Sequence, residues 1–246
     1  MEAQNIPNFI GRQLIMIRPI ITLKKKRILI DVDTQRDLFV ADGKSCVRNH
    51  RRVLANIRRV MAWARKDHIR IISTAQVHLP EGHNGNKFNF CLAGTEGVEK
   101  IPYTLRHRHF TFDAGDGTDV PREMLNDFDQ VILFKRTEDP FEEPRAERIL
   151  TEMKASEFVI IGGPAETSVL STVLGLLLRG KQVTVLTDAI GSLEKTAAEI
   201  AMRKMQAKGA RMLESKSLFG SSHLRLVNAC TCERCRGKMQ KTPLIA

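Results

Sequence analysis

No uninterrupted apolar stretch in the 246-residue sequence reaches the roughly 18–20 residues needed to cross a bilayer. The most apolar N-terminal segment, from Leu14 to Leu23, is broken by Arg18 and Pro19. It also lacks a clear small-residue cleavage site, so neither a membrane span nor a signal peptide is expected. Aromatic residues are scarce, with one Trp and one Tyr. Cysteines number five, an odd count, so a secreted disulfide framework is not expected and a reducing cytoplasm is the default location. Acidic residues are outnumbered, giving a net charge of +11. The excess sits at the ends. Residues 1–27 carry six Lys/Arg against one Glu and residues 221–246 carry five against one, which leaves +2 for residues 28–220. A basic face on the folded body is therefore not implied, and nucleic acid is not the expected partner.

What is present is a 42% hydrophobic chain of a size for one α/β domain with extensions. Residues 27–33 read as a buried strand and 69–74 as a second, with an amphipathic helix from His50 to His68 between them. Residues 76–125 read as a long irregular excursion, of a length that usually serves function or packing. Strands at 130–135, 158–161 and 182–186 then alternate with helices at 144–154, 167–179 and 194–207. Such alternation predicts a doubly wound three-layer α/β/α domain with a mostly parallel sheet. The expected organisation is a basic extension over 1–26, a domain over 27–215 and a basic, Cys-bearing tail over 216–246.

Ligands in such a sheet sit beyond the carboxyl ends of the strands, and three chemistry-bearing residues fall there. Asp33, in Asp33-Thr-Gln35-Arg-Asp37-Leu-Phe39, is a candidate general base, although Asp31 shares its side of the strand and spacing alone does not choose between them. Lys135 follows four apolar residues, and a lysine there either emerges into solvent or turns into the cleft. Ser168 lies in a strand–turn–helix, Ile160-Ile-Gly-Gly-Pro-Ala-Glu-Thr-Ser168, where a first-turn side chain meets the positive end of the helix dipole. It is equally placed to be an ordinary capping hydroxyl.

Together these stretches resemble the isochorismatase-like cysteine hydrolases, the family of nicotinamidases and isochorismatases. Asp33 with Gln35, Lys135, and Gly162 with Ser168-Val169 match its three motifs in order. Cys91-Leu-Ala-Gly94-Thr95-Glu-Gly97 is similar to its Cys-x-x-Gly-Thr-x-Gly loop, and Asp188-Ala189 to the end of one of its strands. The resemblance covers about residues 27–210 and implies a catalytic triad of Asp33, Lys135 and Ser168, with Gln35 and Phe39 lining the substrate pocket. It also implies a cis peptide at Gly163-Pro164, next to an oxyanion site, and a homo-oligomer that acts on a small molecule.

Three departures accompany the resemblance. Ser168 replaces the nucleophilic cysteine, and a hydroxyl is far harder to deprotonate than a thiol of pKa about 8.5. Pro164 has no N–H to give to an oxyanion. Some amidase-type relatives bind a metal through an Asp-x-His pair and further histidines. Here Gln76 stands at the acid position, and Phe90 stands before Cys91 where a histidine is expected. His78 and His83 remain as a weak metal set. No cofactor is required by this reading. The expectation is a family scaffold with impaired or altered hydrolysis. The alternatives are a non-catalytic small-molecule-binding protein, and a metal or nucleic-acid role for the termini. Cys230, Cys232 and Cys235 offer three thiolates, half of a usual structural zinc site.

Overall fold

The computed structural model describes residues 27–80, 88–121 and 124–219. Seven strands form one sheet: β1 (Arg27–Val32), β2 (Arg70–Gln76), β3 (His109–Phe112), β4 (Gln130–Lys135), β5 (Glu157–Gly162), β6 (Val183–Ile190) and β7 (Arg211–Leu213). Their order is β3-β4-β2-β1-β5-β6-β7, and every neighbouring pair is parallel. From β1 the chain goes to β2, out to the edge strand β3, back to β4 between those two, and then crosses to β5 on the other side of β1. The β1/β5 boundary is thus a switch point, where the outgoing connections diverge and leave a crevice.

Both faces are covered, as parallel strands require. Ile28, Ile30 and Val32 of β1 point into one core with α4 (Pro144–Glu152), α5 (Leu170–Leu178) and α6 (Lys195–Ala207). Leu29 points the other way, into a second core with α2 (His50–Lys66). Val53, Ile57, Val60, Met61 and Ala64 recur at helical spacing on α2 and are buried there. Each large apolar side chain buried this way contributes about 1.5–3 kcal/mol before the entropy of ordering it is counted. Short helices α1 (Arg36–Phe39), α3 (Met124–Asp127) and α7 (Ser215–Phe219) complete the body, and the Phe219 ring of α7 lies 5.7 Å from that of Trp63 on α2. Among the described residues no helix is long and apolar enough to cross a membrane.

The excursion after β2 is more ordered than its composition suggests. It holds two 3-10 turns and the edge strand β3, so the stretch read from sequence as irregular contains regular structure from His109 to Phe112. The first helical turn after β5 also differs. Ala165–Val169 is wound as a π-turn that runs into α5, so the helix expected from Thr167 begins two residues earlier.

Candidate active site

Four adjacent strands each deliver one polar side chain to a single point beyond their carboxyl ends. In sheet order these are Lys135 from β4, Gln76 from β2, Asp33 just after β1 and Ser168 in the turn after β5. Gln76 and Lys135 are register partners, so their side chains leave the sheet side by side. Asp33 turns in from the strand end with φ +48°, a left-handed conformation that Asp tolerates better than most residues. Its backbone N–H donates to the Thr74 carbonyl at 3.1 Å. Gly162 lets β5 pass close to β1. With φ +113°, a Cβ there would lie 1.9 Å from the Val32 carbonyl oxygen, so only glycine fits. The next peptide, Gly163-Pro164, is cis.

Asp33, Lys135 and Ser168 are all fully buried. The Lys135 ammonium donates to Asp33 Oδ2 at 2.8 Å and to the carbonyls of Thr137 and Glu138 at 3.0 and 3.1 Å. Its contact with Ser168 Oγ is longer, 3.2 Å. The Gln76 amide donates to both Asp33 Oδ2 (3.0 Å) and Ser168 Oγ (2.7 Å). Thr74 Oγ1 donates to Asp33 Oδ1 at 2.5 Å. Asp33 and Ser168 therefore meet through two nitrogen donors they share, and the hydrogen bonds to Oγ come from N–H groups.

The spacing ambiguity between Asp31 and Asp33 resolves into two neighbouring buried ion pairs. Asp31 belongs to Lys100, at 2.9 Å, and accepts from Thr34 and Ser73. Gln35 is a strut: its amide joins the Gln76 backbone N–H and carbonyl and the Val98 carbonyl, tying β2 and the following loop to the end of β1. Phe39 is buried in the apolar core, and its ring lies 3.2 Å from where a Cβ on Gly163 would stand. Asp37 clamps the loop that begins at Cys91. Its carboxylate accepts from the Cys91 N–H at 2.7 Å and fills the space where a side chain on Gly97 would lie. Asp188 caps α7 through the N–H and hydroxyl of Ser215.

Cys91 does not stand in for the missing thiolate. Burial, with Asp33 and Asp37 nearby, pushes its thiol pKa well above the usual range and keeps it protonated. Burial, seconded by the Lys135 charge, lowers the His78 pKa and favours the neutral ring. His78 is stacked against Phe88, with Phe90 edge-on beside it. Among the described residues, the place where a metal would be sought thus holds one imidazole, one amide and two phenyl rings. Among the described residues no group of three His, Cys, Asp or Glu side chains is arranged to hold a metal ion. His83 and the three tail cysteines, Cys230, Cys232 and Cys235, lie outside the described residues. A concavity of about 760 Å³ opens at the opposite, amino-terminal edge of the sheet, between Arg27, Glu157, Thr184 and Arg211. Arg27 and Thr184 there are bonded to Glu157, so this is not a second constellation of free reactive groups.

The family model for the isochorismatase domain matches residues 27–217. Compared with curated proteins by sequence, the chain matches none. Among solved structures it is similar to the pyrazinamidase of Pyrococcus horikoshii in complex with zinc. The two share 23% identity over 77% of this chain and 99% of that one, with a TM-score of 0.60. It is similar also to the nicotinamidase of Bacillus subtilis, with 18% identity over 77% and 99% of the two chains and a TM-score of 0.60. An isochorismatase family protein from Desulfovibrio vulgaris gives 18%, 79% and 96%, with a TM-score of 0.61. At these identities the structures establish the shared fold.

Proposed function

The chain belongs to the isochorismatase family, and we propose that it is a member in which cysteine-hydrolase chemistry is lost or strongly reduced while the cleft is kept for a small molecule. The ligand class that goes with the family scaffold is a small amide, ester or vinyl ether. The observation that carries this reading is the bonding of Ser168. Its oxygen accepts from Lys135 and Gln76, whereas the carboxylate that would have to take its proton is occupied by Thr74, Lys135 and Gln76. A serine nucleophile needs a base in hydrogen-bond reach, and here two donors stand between base and nucleophile. A nearby cation and a helix start bring a thiol to its thiolate near neutral pH, but a hydroxyl begins far higher.

Pro164 weakens the other half of the chemistry, because its nitrogen carries no hydrogen for an oxyanion. Loss of one such donor costs on the order of 10²–10³ in rate. Both changes act on the same step, attack on a carbonyl carbon and stabilisation of the resulting charge.

The test uses a small ester such as p-nitrophenyl acetate and a primary amide such as nicotinamide. Wild type and Ser168→Ala should hydrolyse both at indistinguishable rates, while Ser168→Cys should exceed them by at least about tenfold. Wild-type turnover that disappears in Ser168→Ala would overturn this reading in favour of a serine hydrolase with Asp33 as base. A purely binding role, the second reading, is favoured by the fully buried and mutually satisfied polar cluster. It predicts that even Ser168→Cys stays inactive.

A further inference from the structure

The corner formed by Gln76, His78 and Phe90 is where an amidase-type metal set would stand, and its bonding points elsewhere. The orientation of the Gln76 amide follows from its neighbours. Turned the other way, its oxygen would face the Asp33 carboxylate, acceptor against acceptor; as placed, both amide hydrogens are used, on Asp33 and on Ser168. The amide oxygen is then left facing His78 Nε2 at 3.3 Å, which makes Nε2 the hydrogen-bearing nitrogen of the neutral ring. A ring nitrogen that donates a hydrogen has no lone pair for a metal. Phe90, at 5.3 Å between ring centroids, supplies a hydrocarbon edge where a further ligand would be needed, and Phe88 covers one ring face at 4.4 Å.

We infer that Gln76 is a positioning residue that takes the place of a metal-site acid, so that two amide hydrogen bonds, with no metal ion, join Lys135 in tying Asp33 to the residue at position 168. The described residues at this corner do not fit a metal. Gln76 lacks the charge that attracts one, both of its amide hydrogens are already directed at the cleft, and the nearby Asp33 carboxylate is already paired with the Lys135 ammonium, which leaves no free negative charge for a second cation. The same geometry gives Gln76 a definite effect. A donor to the atom at position 168 stabilises whatever negative charge that atom carries. This inference concerns positioning and metal exclusion, and it stands whether or not the wild-type serine turns over a substrate.

The first test is made in full-length Ser168→Cys protein, where the introduced thiol reports on its surroundings. Its pKa is read from the pH dependence of iodoacetamide alkylation and of thiolate absorbance, with no substrate involved. Adding Gln76→Met, which keeps the volume and removes both donors, should raise the thiol pKa by about one unit. Gln76→Leu serves as the second donor-free variant should the first fail to fold, and Gln76→Asn, which restores an amide, should recover part of the shift. A merely structural role for Gln76 would leave the pKa of a folded variant unmoved, and an unchanged pKa overturns the inference. The second test compares zinc uptake by wild type and His78→Ala in equilibrium dialysis. Equal uptake is expected, whatever the tail thiolates contribute. Loss of one zinc per chain in His78→Ala would show that the corner does hold a metal and would overturn the inference independently of any hydrolysis result.

Discussion

At position 168 the exchange of sulfur for oxygen acquires its weight from the groups around it. A cation within a few ångströms moves a pKa by about 1–3 units, which is enough for a thiol at about 8.5 and far too little for a hydroxyl. The sequence displays this exchange, and Pro164, directly. It does not display the part played by Gln76. Read along the chain, Gln76 is the neutral occupant of an acid position. Its partners Asp33 and Ser168 lie 43 and 92 residues away, and they become its neighbours only because β1, β2 and β5 stand close together at the centre of the sheet. The neutral His78 leads to a pH prediction. Burial lowers its folded pKa beneath the ordinary imidazole value of 6.5, so below that value the unfolded chain binds the extra proton. Its contribution to stability is therefore present above pH 6.5 and is lost as pH falls from there through the folded pKa. The His78 ring in an NMR titration should protonate below the ordinary value. The midpoint of urea unfolding for His78→Gln should fall less than that of wild type between pH 7 and pH 5, and equal losses would contradict this assignment.

Among the elements, those with strong periodicity were legible. The strand–helix alternation from β1 to α6 follows from apolar spacing and from capping signals such as Pro144 and Gly180. The elements that escaped are short or polar. β3 alternates exposed and covered residues over four positions, β7 has three residues and α7 five, and each is fixed by a neighbour it packs against and not by its own pattern. The excursion after β2 was read as irregular because its anchors are single residues. Lys100, nearly buried, reaches Asp31 at 2.9 Å and the Thr74 carbonyl at 3.3 Å, and so latches the excursion to β1 and β2 beside the candidate site. Breaking such a pair from one side leaves a buried charge without its partner, at a cost of about 3–5 kcal/mol. Lys100→Met should therefore lower the unfolding free energy by that order in urea titration. Lys100→Met combined with Asp31→Asn should recover a substantial part, because the stranded carboxylate is gone. If the single variant loses less than about 1 kcal/mol, the pair is no latch.

For the whole molecule, the distribution of charge separates two parts of the sequence that the total of +11 runs together. The stretch 28–220, which holds the sheet and the candidate site, carries only +2, and the rest of the excess belongs to residues 1–27 and 221–246. Counterion release makes polyanion binding grow with the number of cations engaged and fall steeply with salt. Retention of the full chain on heparin should accordingly depend on its ends. Replacing Lys24, Lys25 and Lys26 with Gln, together with Arg225, Arg234, Arg236, Lys238 and Lys241, should move elution to distinctly lower salt. Ligand affinity or hydrolysis in Ser168→Cys protein should stay the same, because none of the replaced residues belongs to the cluster formed by Asp33, Gln76, Lys135 and Ser168. Were elution unmoved, the cations that meet a polyanion would have to lie on the body. The arginines along α2 would then be the next to replace, since Arg51, Arg52, Arg58 and Arg59 stand on its exposed side, away from the buried stripe of Val53, Ile57 and Val60.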